Sequence, residues 1–316
     1  MNKLIQLAMA GTLLLLPNLA LAKGEPINQK LEIPANTRVV IDTMRGEVDV
    51  RGTDSNIAEV VGNLDESAEE FIFELNGNTL TIRVKMPNDG NFSNSDGNDL
   101  RITLPKTVRV EAQSVSADFV FNRFTGKVII NSVSGDITTS YLTGGVNLES
   151  VSGDIKGREL AGEITLNSVS GDIEDQGSDS SRATYATVSG NVKAKTNARV
   201  VRAEGVSGDV QLTLAHVDSL DINNVSGDVN VNTALNESAR VNVETVSGDT
   251  TIQLGKVIHA DIEVRTSAGG NIINRLNGVK AAESKFGLGQ SLKLELGERN
   301  STVSLHSVSG NIVLHK

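Results

Sequence analysis

Val146-Asn147-Leu148-Glu149-Ser150-Val151-Ser152-Gly153-Asp154-Ile155 decides the architecture of this chain. Val146, Leu148 and Ser150 alternate with Asn147 and Glu149, Ser152-Gly153 interrupts, and Ile155 resumes the apolar pattern. Period-2 alternation broken by small polar residues and glycine marks two half-buried strands joined by a turn. Val128, Ile130 and Ser132 ahead of Ser134-Gly135, and Ile164, Leu166 and Ser168 ahead of Ser170-Gly171, repeat the reading. A second, looser turn closes each unit, as at Leu142-Thr143-Gly144-Gly145 and Leu160-Ala161-Gly162.

The corner Val-Ser-Gly-Asp returns throughout. Its last two positions are Gly135-Asp136, Gly153-Asp154, Gly171-Asp172, Gly190-Asn191, Gly208-Asp209, Gly227-Asp228, Gly248-Asp249 and Gly310-Asn311, with degenerate copies at Val115 to Asp118 and Ser267 to Asn271. From Asp118 the fourth position recurs after 18, 18, 18, 19, 18, 19, 21 and 22 residues, and then after 40, about two periods. A unit of that size cannot bury its own apolar face, so successive units must lie over one another. The expected fold is all-β: a single-stack parallel β-solenoid, or β-helix, of about 18-residue coils, right-handed as parallel crossovers are. Ten to thirteen coils about 4.8 Å apart would make a rod roughly 50 to 60 Å long. Aromatic residues are 3% and Trp is absent, as a thin core of identical layers requires.

Each corner residue has a structural reason to be there. Glycine supplies backbone freedom or close approach, Ser and Asp accept from nearby backbone donors, and Val is expected to cover the corner of the core. The sharper reading makes the stacked aspartates an acidic ladder for cations or a polymer. Like charges 4.8 Å apart repel by only about 0.9 kcal/mol in bulk water, so hydrogen-bonded turns tolerate them without an ion. Asn191 and Asn311 keep the turn chemistry and drop the charge, and the Gly-Asp/Asn ladder is therefore read as structural.

Residues 1–22 read as a secretory signal peptide: Lys3, an apolar run from Leu4 to Leu16, and Ala20-Leu21-Ala22 at the cleavage site. With no Cys, neither a disulfide nor a lipidated N-terminal cysteine is available. Losing the single cation Lys3 from a net charge of −10 leaves −11, which disfavours nucleic acid and anionic lipid as partners. No stretch after residue 22 is apolar enough to span a bilayer. The periplasm is the expected compartment, with secretion or surface display as the alternative.

Residues 23–110 read as an irregular N-terminal β cap with a polar loop at 87–99, and 111–316 as the regular solenoid, its coils irregular over 267–306. Asp42-Thr43-Met44-Arg45-Gly46 reads as a worn corner, and Phe71 to Leu75 with Thr79 to Val84 as a hairpin across Asn76-Gly77-Asn78. Phe119, Phe121 and Phe124 are expected to seal the cap's core. With its signal peptide, a strand running into Leu104-Pro105 and serial Val-Ser-Gly-Asp coils, the chain from Leu31 to Lys316 resembles the bacterial putative-adhesin family of unknown function with β-strand repeats. That resemblance implies a β-solenoid at the cell envelope, and it brings no catalytic residues.

Catalysis has little to stand on. Every clean-motif Asp occupies an equivalent turn, whereas acid–base work needs carboxylates in differing environments. His216, His259, His306 and His315 fall in separate coils, and no nucleophile elbow or phosphate-cradling loop is present. Asp89, Asn94, Asp96, Asn98 and Asp99 offer oxygen ligands for calcium, but their spacing fits no EF-hand. Lys280, Lys285 and Lys293, with Arg265, Arg275 and Arg299, form a docking face or a terminal cap. No cofactor, metal or catalytic residue is assigned. The expected function is a non-enzymatic exported binding or scaffold protein, adhesin-like, whose partner is an unknown envelope polymer or protein. The alternatives are a carbohydrate-active enzyme on a β-helix and an envelope-stress accessory protein that self-associates end to end.

Overall fold

The computed structural model describes residues 24, 26–87, 97–283 and 287–316. The signal-peptide reading of 1–22 lies outside these residues, as do Asp89, Asn94 and Asp96 of the polar loop weighed for calcium and Lys285. Among the described residues every regular element is a strand, and the strands join in one 24-stranded, mostly parallel sheet. Val146 lies beside Val128 on one side and Ile164 on the other, each 18 residues away, and Leu148 lies likewise between Ile130 and Leu166. These positions are buried, while Asn147 and Glu149 point outward.

Each unit contributes one strand before the corner and one after it, so the core is sandwiched between two narrow parallel sheets. Its columns run the length of the stack. One column reads Leu100, Val48, Phe119, Ile137, Ile155, Ile173, Val192, Val210, Val229, Thr250, Ile312 and Ile272. Twelve levels at the ordinary strand spacing span about 53 Å. Phe119, Phe121 and Phe124 are fully buried, with Phe119 edge-on to Phe121 at 5.8 Å.

The stack does not follow chain order, which corrects the expectation that successive segments lie directly over one another. Arg38–Thr53 pairs with Arg109–Phe124 on one side and with Thr79–Lys85 and Asn98–Pro105 on the other. Its corner is the worn one: Glu47 lies beside Asp118, and Met44 occupies the valine position. At the far end, Ser301–Ser309 is inserted between the strands Val229–Ser247 and Ala260–Thr266. Asn311 therefore follows Asp249 directly, and Asn271 comes after it. Both ends are closed by antiparallel strands: Glu70–Asn76, Ile57–Asn63 and Pro26–Glu32 at one, Gln290–Leu296 at the other. Reversing strand direction at the last layer blunts the exposed parallel edge. At the far cap Arg299 grips both oxygens of Asp261 and also meets Glu295, so this cation is spent on the cap itself.

The corner's chemistry acts between coils. The N–H of Asp154 donates to Asp136 Oδ1 at 2.9 Å, and that of Asp172 to Asp154 Oδ1 at 2.9 Å. The same bond recurs from Asp136 on Asp118 to Asn271 on Asn311. In the first four clean corners the bond within the turn comes instead from the residue ahead of the motif, as when Gly153 N–H donates to Ser150 Oγ at 2.8 Å. A Cβ on Gly153 would sit 2.1 Å from the Gly135 carbonyl oxygen, and the other clean corners are as close, so they admit only glycine, whereas the degenerate first copy carries Ala117.

The expectation that the corner valine covers the core is overturned. Val133, Val151, Val169, Val188, Val206 and Val225 are each 44–47% exposed. The preceding Ser150 turns inward to cap Gly153, and strand alternation then sends Val151 out.

Candidate functional site

The outward valines stand in a line, one per level, at the edge of the sheet that precedes the corner. Their backbones are tied on both sides: Val151 N–H donates to Ser132 O of the preceding coil, and Val151 O accepts from Ser170 N–H of the following one. The line is consequently a rigid ridge of methyl groups. Beside it runs a row two residues earlier in each coil, in which Asn131, Asn167 and Asn223 interleave with Glu149, Glu204 and Glu244. Between the two rows lies a groove of about 1160 Å³ that extends from Gln113 to Val308, floored by the inward Ser and Thr residues that cap the corners.

An apolar line bordered by amides and carboxylates can hold an extended chain, offering van der Waals contact on one side and hydrogen bonds on the other. Glu149 and Glu204 are three levels apart and Glu204 and Glu244 two, about 14 and 10 Å along the axis. The first of these separations exceeds those at which paired glycosidase carboxylates act, ~5–9.5 Å, and the second lies at the upper edge of that range.

The Gly-Asp ladder singled out in the sequence lies at the corner just past the valines, engaged in the inter-coil bonds described above. The histidines stay apart: His259 Nδ1 accepts from Glu298 N–H, and His306 shares a hydrogen bond with Ser267. Among the described residues no three His, Asp or Glu side chains gather as a metal site would need. Of the proposed calcium ligands, Asn98 is buried and bonds Thr43, the Arg45 carbonyl and the Asp65 amide, so it is a structural crosslink.

A second feature went unseen in the sequence. Asp175 and Tyr185 are fully buried inside the stack, with Tyr185 Oη donating to Asp175 Oδ2 at 2.6 Å and Ser178 donating to Oδ1. Burial pushes the Asp175 carboxyl above its usual range, and burial together with the neighbouring Asp175 charge raises the Tyr185 phenol. The valine groove was legible in principle, because Ser150 inward implies Val151 outward.

A two-sheet parallel β-solenoid with closed ends and a lateral valine groove is the class of molecule these features define. The chain belongs to the Toastrack DUF4097 family, whose model matches residues 36–271. Among solved structures it is similar to a "putative adhesin" of Parabacteroides merdae at 14% identity, covering 74% of this chain and 98% of that one with a TM-score of 0.49. It is also similar to a "putative lipid binding protein" of Parabacteroides distasonis at 15% identity, covering 93% and 98% with a TM-score of 0.45. A "putative adhesin" of Bacteroides fragilis is similar at 13% identity, covering 92% and 97% with a TM-score of 0.38. No curated protein matches the chain.

Proposed function

We propose that the chain is a non-enzymatic, exported scaffold of the cell envelope, adhesin-like in action, that lays an extended polymer or protein segment along the valine groove. The observation that carries this reading is the line of half-exposed valines, one per level, where alternating strands normally show polar side chains to water. A contiguous apolar strip of this extent on a soluble protein marks an interaction surface. The wide spacing of the groove's carboxylates supports binding over hydrolysis. The antiparallel strands over both end coils support a discrete rod over end-to-end growth.

Residues 1–22 support export, and we favour the periplasm over secretion or surface display. Among the described residues no helix is long and apolar enough to cross a membrane. Right-handed winding and a regular coil of about 18 residues belong to the same reading; the 18-residue offsets between paired strands support the coil length, and the usual hand of parallel crossovers supports the winding.

The test is cosedimentation with isolated envelopes. Replacing Val151, Val169 and Val188 with Ser should leave the melting temperature nearly unchanged, because these side chains are already half in water, and should abolish cosedimentation. Undiminished binding by the triple variant would remove the groove from consideration.

A further inference from the structure

The sheet that follows the corner carries a different line on its outer face. Arg51, Asn122, Ser140, Arg158, Gln176 and Lys195 stand in register at six successive levels. Arg51, Arg158 and Lys195 are exposed, and among the described residues none of them has a carboxylate within 4.0 Å. On a chain of net charge −10 that is unusual company, since the outer face of the opposite sheet presents Glu149, Glu204 and Glu244. The cations are three and two levels apart, about 14 and 10 Å, with amide and hydroxyl side chains between them.

At its Arg51 end the line enters a pocket of about 550 Å³ lined by Arg123, Tyr141 and the ion pair of Lys106 with Asp54, 2.5 Å apart. Tyr141 is 46% exposed, and the Arg158 guanidinium lies 5.4 Å from its ring centre, so each holds the other in place. Arg123 and Tyr141 both adopt left-handed backbone, with φ of 65° and 56°. Gly177 takes the same corner position two levels beyond Tyr141, with φ 75°. A non-glycine residue there costs roughly 1–2 kcal/mol. Glu159, at the level between Tyr141 and Gly177, adopts φ 53° as well, so the left-handed corner is a feature of this turn shared by four successive levels.

We propose that this face binds a linear anionic glycan running along the rod axis. Its charged groups meet Arg51, Arg158 and Lys195, its hydroxyls meet Asn122, Ser140 and Gln176, and Tyr141 offers a surface for sugar C–H groups at the pocket. Charge spacing selects the polymer. A nucleic-acid strand carries one phosphate per ~3.4 Å, several times denser than these cations. A bilayer surface would also meet the adjacent row, where Asp49 stands beside Arg101 and Glu174 between Lys156 and Lys193, and there the two lysines already face Asp154 and Glu174 at 4.0 and 3.9 Å. A glycan charged at every second or third sugar matches the line.

Isothermal titration of the purified protein tests this. The probes are hyaluronan and κ-carrageenan oligosaccharides, with one carboxylate or one sulfate per disaccharide, which separate a carboxylate from a sulfate source, beside neutral dextran, oligo-thymidylate and phosphatidylglycerol vesicles. Saturable, salt-weakened binding to at least one acidic glycan is expected. Arg51→Ser with Arg158→Ser should lower that affinity about tenfold with an unchanged melting temperature, while Lys280→Ser at the far cap leaves it intact. No saturable binding to either acidic glycan, equal affinity for dextran, tighter binding to oligo-thymidylate or vesicles, or an equal loss with Lys280→Ser would overturn the assignment. The valine-groove triple variant should retain this binding, so that the failure of one reading is distinguishable from the failure of the other.

Discussion

Asn224 fills the space that a side chain at Gly205 would occupy: a Cβ built on Gly205 would lie 2.2 Å from Asn224 Oδ1. The two are neighbours in the column of corner-capping residues, where other levels carry Ser or Thr. Asn224 Nδ2 donates to the carbonyls of Gly208 and Gly227 at 3.2 and 3.1 Å, spanning both levels. At this step the corner changes conformation. Gly135, Gly153, Gly171 and Gly190 take their cap from a Ser or Thr hydroxyl. Gly208, Gly227, Gly248 and Gly310 have φ between 118° and 154°, and Gly208 N–H turns instead to Ser226 O. The switch accounts for the Thr245 and Ser307 hydroxyls, which are buried without a hydrogen-bond partner among the described residues.

Gly205→Ser should clash with Asn224 and destabilise by about 2 kcal/mol, and Asn224→Ser should open a void of similar cost. The double variant, which restores two ordinary capping serines, should lose less than the sum. Urea unfolding of all four proteins measures the coupling, expected at 1 kcal/mol or more.

Thr250 interrupts a column of Val and Ile with a buried hydroxyl that lacks a hydrogen-bond partner among the described residues. Thr250→Val keeps the volume and the branching while removing the unsatisfied oxygen, and should stabilise by about 1–2 kcal/mol. An unchanged or lower denaturation midpoint would contradict this account of the column.

Asp154→Asn should be nearly neutral, because an amide oxygen accepts from the next coil as well as a carboxylate does. Asn191 already plays that part, accepting the Asp209 N–H at 2.9 Å. Asp154→Ala should cost about 1 kcal/mol by stranding the Asp172 N–H. Thermal melts of the pair separate an acceptor role from a charge role, and loss on Asn substitution would favour charge.

Asp175 binds its proton more tightly folded than unfolded, since burial raises its carboxyl. Its contribution to stability is therefore full below the ordinary carboxylate range and is lost as pH rises through the raised folded value. Asp175→Asn, which keeps an acceptor for one of the Ser178 and Tyr185 hydroxyls and turns an N–H donor toward the other, should melt about 2 °C higher than wild type at neutral pH. The difference should close as the solution is acidified past the carboxylate range. A gap independent of pH would point to packing.

Much of the fold could be read locally, and the failures share a physical cause. Alternation from Val146 to Ser150 and the glycine at 153 fix two strands and a corner whatever lies nearby. Which edge a coil joins is another matter. The corner at Gly310-Asn311 offers any parallel edge the same donors and acceptors, so nothing within Ser301 to His315 declares that it sits between the coils of Asp249 and Asn271. Valine's hydrophobicity argued for the core at position 151, while the parity set by Ser150 argued for solvent, and parity won. The Asp carboxylates face two sets of donors, those of their own turn and those of the next coil, and only the stack reveals which is nearer. The cationic line on the far sheet draws on residues as distant in sequence as Arg51 and Lys195, so no window along the chain displays it.

Ser301–Ser309 joins strands that lie on either side of it in space yet both precede it in sequence. As the chain emerges, the coils from Arg109 to Leu254 can dock as they arrive, but Ala260–Thr266 must wait for the segment that will separate it from Val229–Ser247. Growth by simple accretion thus ends near Leu254, and the last layers assemble in a single late step that seats two interfaces together. Until then two apolar strand edges stand open at one end of the rod, the interval in which a nascent copy is most exposed to mispairing with another.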